Sequence, residues 1–180
     1  MLNQEQRRTL LRVAREAVEA AARGQSYRPE VDDPQLRQPG AAFVTLKKHD
    51  ELRGCIGTIE AREPLVLNVA HMARAAALED YRFPQVQPAE VRDLNIQISV
   101  MTPPQPVADV SEIEVGVHGL IIEQGGNKGL LLPQVPAEWG WDREEFLDHT
   151  CMKAGLPRGS WRGGDCKLYS FAAEVFGEEE

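Results

Sequence analysis

Ala41-Ala42-Phe43-Val44-Thr45-Leu46-Lys47-Lys48-His49-Asp50-Glu51-Leu52-Arg53-Gly54-Cys55-Ile56-Gly57-Thr58-Ile59 is the stretch on which the fold turns. Its first part alternates, with Ala42, Val44 and Leu46 on one face and Phe43, Thr45 and Lys47 on the other. That is the period of two of a half-buried strand. Lys48 to Glu51 is a short polar turn, and an apolar run then returns from Leu52 to Ile59. Two strands joined so closely pair antiparallel, because a parallel pair needs a long crossover. The hairpin therefore argues for an α+β arrangement rather than a doubly wound sheet.

The flanking chain agrees. Asn3 to Arg23 is predicted to be a helix, with Leu10, Ala14, Val18 and Ala21 at helical spacing. Asn3 caps it, Gln6 holds the capping-box position and Gly24 ends it. Arg7, Arg8, Arg12 and Arg15 lie mostly off the stripe, as on a solvated face. Residues 25–40 are polar, carry three prolines and read as a connection. Glu63 to Leu78 is a second helix, with Pro64 near its first turn and a stripe of Leu65, Val69, Met72, Ala73 and Ala76. Its alanines imply close approach to a neighbour, and Pro84 forbids its continuation. Leu94, Ile96, Ile98 and Val100 alternate with Asn95, Gln97 and Ser99, a further strand.

Ile113–Val117 and Leu120–Glu123 are β candidates, followed by a turn at Gln124-Gly125-Gly126-Asn127 and a return at Leu130–Leu132. Pro133 and Pro136 break the pattern. Asp142 to Ala154 is a third helix, capped by Asp142 with Glu145 and ended by Gly155. Phe146, Leu147, Thr150, Cys151 and Ala154 form its buried face. Lys167 to Phe176 is the last strand, with Tyr169, Phe171, Ala173 and Val175 on one side, and the acidic tail 177–180 is expected to fray. The expected fold is α+β, antiparallel sheets with packed helices.

The bulk properties narrow the function. A chain of 180 residues suits one domain, or one domain in two lobes. A net charge of −8 repels nucleic acid and anionic membranes unless a local basic patch intervenes. The three cysteines are scattered, no apolar leader follows Met1, and no run approaches the ~18 apolar residues of a membrane span. The expected setting is a reducing cytoplasm with free thiols. The chain has no P-loop, no G-x-G-x-x-G, no paired C-x-x-C and no radical-SAM cysteine cluster. His149 and Cys151, two apart on a helix, point in different directions. No metal and no cofactor are expected.

Within Leu52-Arg53-Gly54-Cys55-Ile56-Gly57, strict strand parity places Leu52, Gly54 and Ile56 on one face and Arg53 and Cys55 on the other. With the apolar pair turned to the core, guanidinium and thiol share a cleft or solvent face, and the cation favours the thiolate. Gly54 and Gly57 clear space for a ligand or mark a bulge. The competing reading makes Cys55 a small hydrophobe in a tight sheet. Asp80 and Arg82, after the second helix, either line a cleft beside Cys55 or form a packed turn with a salt bridge. For a base, His49 lies at the far end of the hairpin, roughly 10 Å away or more. His71, His118, Glu79 and Asp80 are spatial candidates only.

These residues carry a resemblance. Leu52-Arg53-Gly54-Cys55-Ile56-Gly57 resembles the signature of the AMMECR domain family, named for the human chromosomal region linked to Alport syndrome, midface hypoplasia and elliptocytosis. Asp80-Tyr81-Arg82-Phe83-Pro84, Ile96 to Pro103, Gly129 to Val135, and Cys151 to Leu156 with Trp161 resemble further segments of the family in the same order. Met101 stands where the family often has leucine. The resemblance implies one AMMECR-like domain over residues 1–180, in two lobes with a cleft between them, the larger from both chain ends and the smaller from the middle. It implies a pathway shared with a Memo-like protein and a radical-SAM protein. It carries Cys55 over as the catalytic candidate and Arg53, Gly54 and Gly57 as the substrate-binding ones, beside Asp80 and Arg82. Three functions stay open: an enzyme or enzyme component using Cys55, a non-catalytic module for a small-molecule ligand or partner, and a nucleotide or RNA binder, which the acidic total disfavours.

Overall fold

The computed structural model describes residues 1–178 and divides into two compact units. The first holds Met1–Met101 together with the chain from Glu174 on, and the second holds Thr102–Ala173. Among the described residues no helix is long and apolar enough to cross a membrane.

In the first unit, α1 (Gln4–Ala22) starts at Asn3, whose side chain accepts from the Gln6 N–H while Gln6 returns the bond, so the expected capping box forms. Then follow β1 (Pro39–Gly40), β2 (Ala42–Lys48), β3 (Glu51–Gly57), β4 (Glu63–Pro64), α2 (Leu65–Leu78) and β5 (Leu94–Met101). β1 and β4 pair with each other just before α2. β2 lies between β3 and β5, antiparallel to both. The β2–β3 turn is His49-Asp50, both with positive φ (52° and 63°), the type I′ geometry that matches strand twist. Ala42, Val44, Leu46, Ile96 and Ile98 form one core with the apolar faces of α1 and α2.

The register of the hairpin departs from strict parity. Leu46 stands opposite Gly54 but Lys47 stands opposite Leu52, so Arg53 is an extra residue in a β-bulge. Leu52 consequently points outward with Lys47 and is 42% exposed, against the expectation that it shares the core face with Ile56. The glycine in the bulge has a packing cause. A Cβ on Gly54 would stand 2.3 Å from the carbonyl oxygen of Ala76, so α2 lies on β3 at backbone contact.

In the second unit, β6 (Gln105–Pro106), β7 (His118–Gln124), β8 (Asn127–Leu131), α3 (Gln134–Trp139) and α4 (Arg143–Lys153) are followed by β9 (Lys167–Gly177), whose residues from Glu174 on belong to the first unit. β7 pairs antiparallel with β8 and β9, and β6 with β9. α4 packs Phe146, Leu147, Cys151 and Ala154 against Leu120 and Ile122 of β7. Its capping box of Asp142 and Glu145 forms as expected.

Three expectations fail for local reasons. Ile113–Val117 is a turn after a 3-10 segment at Val110–Glu112, because only Ile113 is buried and Gly116 turns the chain at φ 90°. α3 forms despite Pro133 and Pro136, which sit at its cap and first turn, where a proline's missing N–H has no helical acceptor to lose. Val175 is exposed and Phe176 buried, because the end of β9 turns Glu174 and Phe176 toward α1: Glu174 accepts from Leu2 N–H and pairs with Arg7 at 2.6 Å. Nor is the start of the acidic tail frayed. The Glu178 carboxylate bonds Arg15 at 2.6 Å and the Ile96 N–H at 2.9 Å, while residues 179 and 180 lie outside the described residues.

Gly54→Ala is expected to destabilise the protein by at least about 2 kcal/mol, since a rigid carbonyl must move. Gly164→Ala, where nothing lies within 4 Å, should change stability by less than about 0.5 kcal/mol. Urea unfolding of both variants checks the contrast.

Candidate functional site

The bulge decides what surrounds Cys55. Counting back from the His49-Asp50 turn without a bulge would set Cys55 opposite Val44, but the extra residue sets it opposite Thr45. The Cys55 N–H points away from β2, so this is a non-hydrogen-bonded pair, in which facing side chains come closest. Cys55 Sγ and Thr45 Oγ1 are 3.2 Å apart. Phe43 and Lys47 share their face on β2, and the register brings in Ser99 and Gln97 of β5 beside Phe43 and Thr45. This face lies opposite the helices, and every one of these side chains is half-buried.

Cys55 sits on the edge strand, and its outward N–H is taken by Asp80 Oδ2 at 3.0 Å. Asp80 follows α2 directly and is only 5% exposed. Its carboxylate also accepts from Arg82 Nε (3.0 Å), Nη2 (2.8 Å) and backbone N–H (3.2 Å). The Arg82 bonds hold it well below the usual carboxylate range, against the opposing effect of burial and with help from the Cys55 N–H. Arg82 itself is half-exposed and lies over the Phe83 ring at 5.4 Å. Asp80 and Arg82 are thus joined to Cys55, through its backbone.

Arg53 is not. Its guanidinium turns to Glu90, with Nε donating to Oε1 at 2.8 Å and Nη2 to Oε2 at 3.2 Å, and Lys48 Nζ stands 3.5 Å from the same carboxylate. Both side chains of the Arg53–Glu90 pair are largely buried. Burial raises the Glu90 pKa, but the bonds from Arg53 and Gln87 and the charges of Arg53 and Lys48 outweigh it, and the net shift is downward. Arg53 Nη1 is buried with no hydrogen-bond partner among the described residues. The expected pairing of Arg53 with Cys55 on one face does not form, because a bulged residue leaves the alternation.

Gly54 faces α2. Gly57 stands opposite Phe43, whose ring lies where a Cβ would be, 2.2 Å away. Both glycines are therefore explained by packing. Phe43 and Gly57 also line an open hollow of about 470 Å³ with Thr58, Ile59, Glu60 and Arg62, next along the same face from Thr45 and Cys55.

No histidine reaches the thiol. His49 is in the hairpin turn, His71 Nδ1 is 3.0 Å from Glu63 Oε1, His118 Nδ1 accepts the Glu114 N–H, and His149 is stacked on Trp141. Among the described residues no group of three or more His, Cys, Asp or Glu is placed to hold a metal ion. The contacts of Thr45 with the Cys55 sulfur and of Glu90 with Arg53 are not expected from the sequence. Their only signal was Gly54 as a bulge marker, which shifts the register by one.

The AMMECR1 family matches residues 11–176. A protein of Methanothermobacter thermautotrophicus is 47% identical over 186 residues, covering 99% of this chain and 97% of its own. Protein MK0488 of Methanopyrus kandleri is 46% identical over 181 residues, covering 95% of this chain and 87% of its own. The crystal structure of protein PH0010 from Pyrococcus horikoshii aligns with a TM-score of 0.78 at 44% identity, over 94% of this chain and 90% of that one. The chain belongs to the AMMECR1 family.

Proposed function

We propose that the β2–β3 face around Cys55 binds a small anionic molecule and that the Cys55 sulfur adds to an electrophilic double bond in it, the π bond opening as the new bond to sulfur forms and the thiol proton ending on the atom that takes the electron pair, making the chain an enzyme component. The observation that carries this reading is the state of the sulfur. Cys55 is half-buried on the face opposite the helices, beside the open hollow, with the Thr45 hydroxyl 3.2 Å from its sulfur as the only hydrogen-bond partner among the described residues. Either the hydroxyl or the thiol can donate in this contact. Lys47, on the same face and without a salt-bridge partner among the described residues, supplies the positive charge for an anion; Arg62 in the hollow is paired with Glu60, and Arg82 with Asp80. Asp80, just past the end of α2, fixes the strand backbone under the sulfur.

With no histidine in contact, the thiol proton leaves to solvent or to the substrate. That same observation favours a second reading, a binding module in which Cys55 touches a ligand without reacting. Through the family resemblance, a Memo-like and a radical-SAM protein are the proposed partners and the cytoplasm the proposed setting.

Alkylation by iodoacetamide, followed by mass spectrometry, tests the thiol. Cys55 is expected to label in the folded protein at least about tenfold faster than Cys151 and Cys166, whose pKa values burial pushes up. Thr45→Val removes the sulfur's one hydrogen-bond partner among the described residues, and the labelling rate of Cys55 is expected to change with it. A Cys55 that labels no faster than Cys151 would sink the nucleophile reading, and a Cys55→Ser variant that keeps all activity would select the binding module.

Asp80 gives a pH signature. Its folded pKa lies below the unfolded one, so its stabilisation is complete above the ordinary carboxylate range and is lost as pH falls toward the folded value. Asp80→Asn is expected to cost about 1–3 kcal/mol at pH 7, with the gap to wild type closing below about pH 4. Unfolding curves between pH 7 and pH 2.5 measure it, and a gap constant with pH would show that the charge contributes nothing.

A further inference from the structure

The row of side chains that crosses the sheet at Cys55 does not stop at Thr45. Thr45 is paired on one side with Cys55 of β3 and on the other with Gln97 of β5, so the three form one line across three strands. The neighbouring lines are Gly57–Phe43–Ser99, toward the hollow, and Leu52–Lys47–Asn95, toward the hairpin turn. All of these side chains project on the same side of the sheet, because alternate residues of a strand share a face. β3 and β5 are two strand spacings apart, about 9–10 Å. A short conjugated molecule lying over Thr45 therefore meets the sulfur at one end and the Gln97 carboxamide at the other.

The polar groups of β5 on this face are unengaged. Asn95, Gln97 and Ser99 are half-buried, yet none of their side chains makes a hydrogen bond among the described residues. None is a buried orphan either, since the only buried side-chain polar atom without a partner among the described residues is Arg53 Nη1. Water reaches these amides and this hydroxyl, and a ligand can take its place. The carboxamides in the core behave differently. Gln6 donates to Asp33 and Gln35, and Asn68 accepts from the Ala42 N–H and donates to Glu63. Charge is placed apart from the reacting row. Lys47 is the cation of this face and stands one row away, roughly 7 Å along β2, and among the described residues no carboxylate projects from β2, β3 or β5 on this side.

We propose that Gln97 is the specificity-determining residue of this site and that the substrate is an enone- or acrylamide-type acid: a carbon–carbon double bond beside a neutral carbonyl, with its carboxylate several bonds away on Lys47. The inference rests on the reading of Cys55 as the nucleophile. The sulfur bonds to the carbon β to the carbonyl, and the π electrons move through the α carbon onto the carbonyl oxygen. The Gln97 Nε2–H group donates to that oxygen as its negative charge grows. The electron pair then returns to the α carbon, which takes the proton lost by the thiol, and no other reactant is consumed. A carboxylate in place of the neutral carbonyl would already be negative, would draw less on the double bond, and would face a carboxamide with the cation a row away.

N-acryloylglycine carries this pattern, and N-acryloylglycinamide lacks only its charge. Iodoacetamide is the control, because its displacement by sulfur expels iodide and puts no charge on the carbonyl oxygen. Addition to Cys55 of the full-length protein is followed by mass spectrometry over a range of reagent concentrations. Gln97→Met is expected to lower the maximal rate of N-acryloylglycine addition about tenfold, while its half-saturating concentration and the iodoacetamide rate stay within about twofold. Gln97→Glu, which keeps the shape and turns the donor into an acceptor, should slow addition at least as much. Lys47→Met should instead raise the half-saturating concentration about threefold and bring the acid level with its amide. An unchanged addition rate in Gln97→Met overturns the role of Gln97, and so does an equal fall in the addition and iodoacetamide rates; the nucleophile reading survives either. Equal rates for N-acryloylglycine and its amide in the wild type, or addition with no sign of saturation, overturn the substrate class. A Cys55 inert to iodoacetamide as well sinks the nucleophile reading and this inference together.

Discussion

A missing methyl group holds the first unit in its shape. Gly54 faces the Ala76 carbonyl so closely that an ideal Cβ would stand 2.3 Å from it. α2 therefore rests on β3 at backbone contact, and its end is fixed against the edge of the sheet. Two residues after the helix, Asp80 comes under the very next N–H of β3, that of Cys55. Consecutive residues of the strand are thus tied to the same helix end, one by van der Waals contact and one by a charged hydrogen bond. The bulge at Arg53 belongs to this corner. It brings Gly54 to the helix side and sends the Arg53 guanidinium to Glu90.

The second unit repeats the device with other residues. β8, like β3, is the return strand of a hairpin, and its Gly129 would put a Cβ 2.4 Å from the Ala154 N atom, at the end of α4. In both units a ring also covers a strand glycine opposite it, Phe43 over Gly57 and Phe171 over Gly119. A glycine within a strand weakens it, and a cross-strand aromatic restores contact. What differs is the end of the helix. α4 closes with Gly155 in the left-handed region, a Schellman-type stop that satisfies its own carbonyls. α2 runs instead into Asp80, and the polar group after the helix is spent on the sheet edge. An open edge N–H invites another strand, and a buried carboxylate on it forbids that pairing.

Most of this frame was legible in the sequence. The capping boxes at Asn3 and Asp142, the alternation in Leu94–Val100 and the short turn at His49-Asp50 are local signals, and they give the α+β class. What escaped was set by distance. Gly54 and Gly57 mark a possible bulge but do not say whether or where it falls, and the close neighbour of Gly54, Ala76, lies on another element. The register error that follows moves Leu52 to the wrong face and sets Arg53 beside Cys55. Val175 and Phe176 exchange places for the same kind of reason, since α1 receives the end of β9. α3 was obscured by prolines that are harmless at a first turn and disruptive elsewhere.

The six-residue signature can then be divided by task. Gly54 makes room for a helix, Gly57 makes room for a ring, Ile56 packs on the core, and Arg53 is matched to Glu90. The Arg53–Glu90 pair is taken up by itself: both side chains are mostly buried and each answers the other's charge, so removing either would strand its partner. Leu52 and Cys55 are the two members given neither to core packing nor to an ion pair. The stretch is mostly scaffold. What shares a face with the Cys55 sulfur lies outside it, in Thr45, Lys47 and Phe43 across the hairpin. Those residues share a face with the sulfur only because one extra residue in β3 shifted the register.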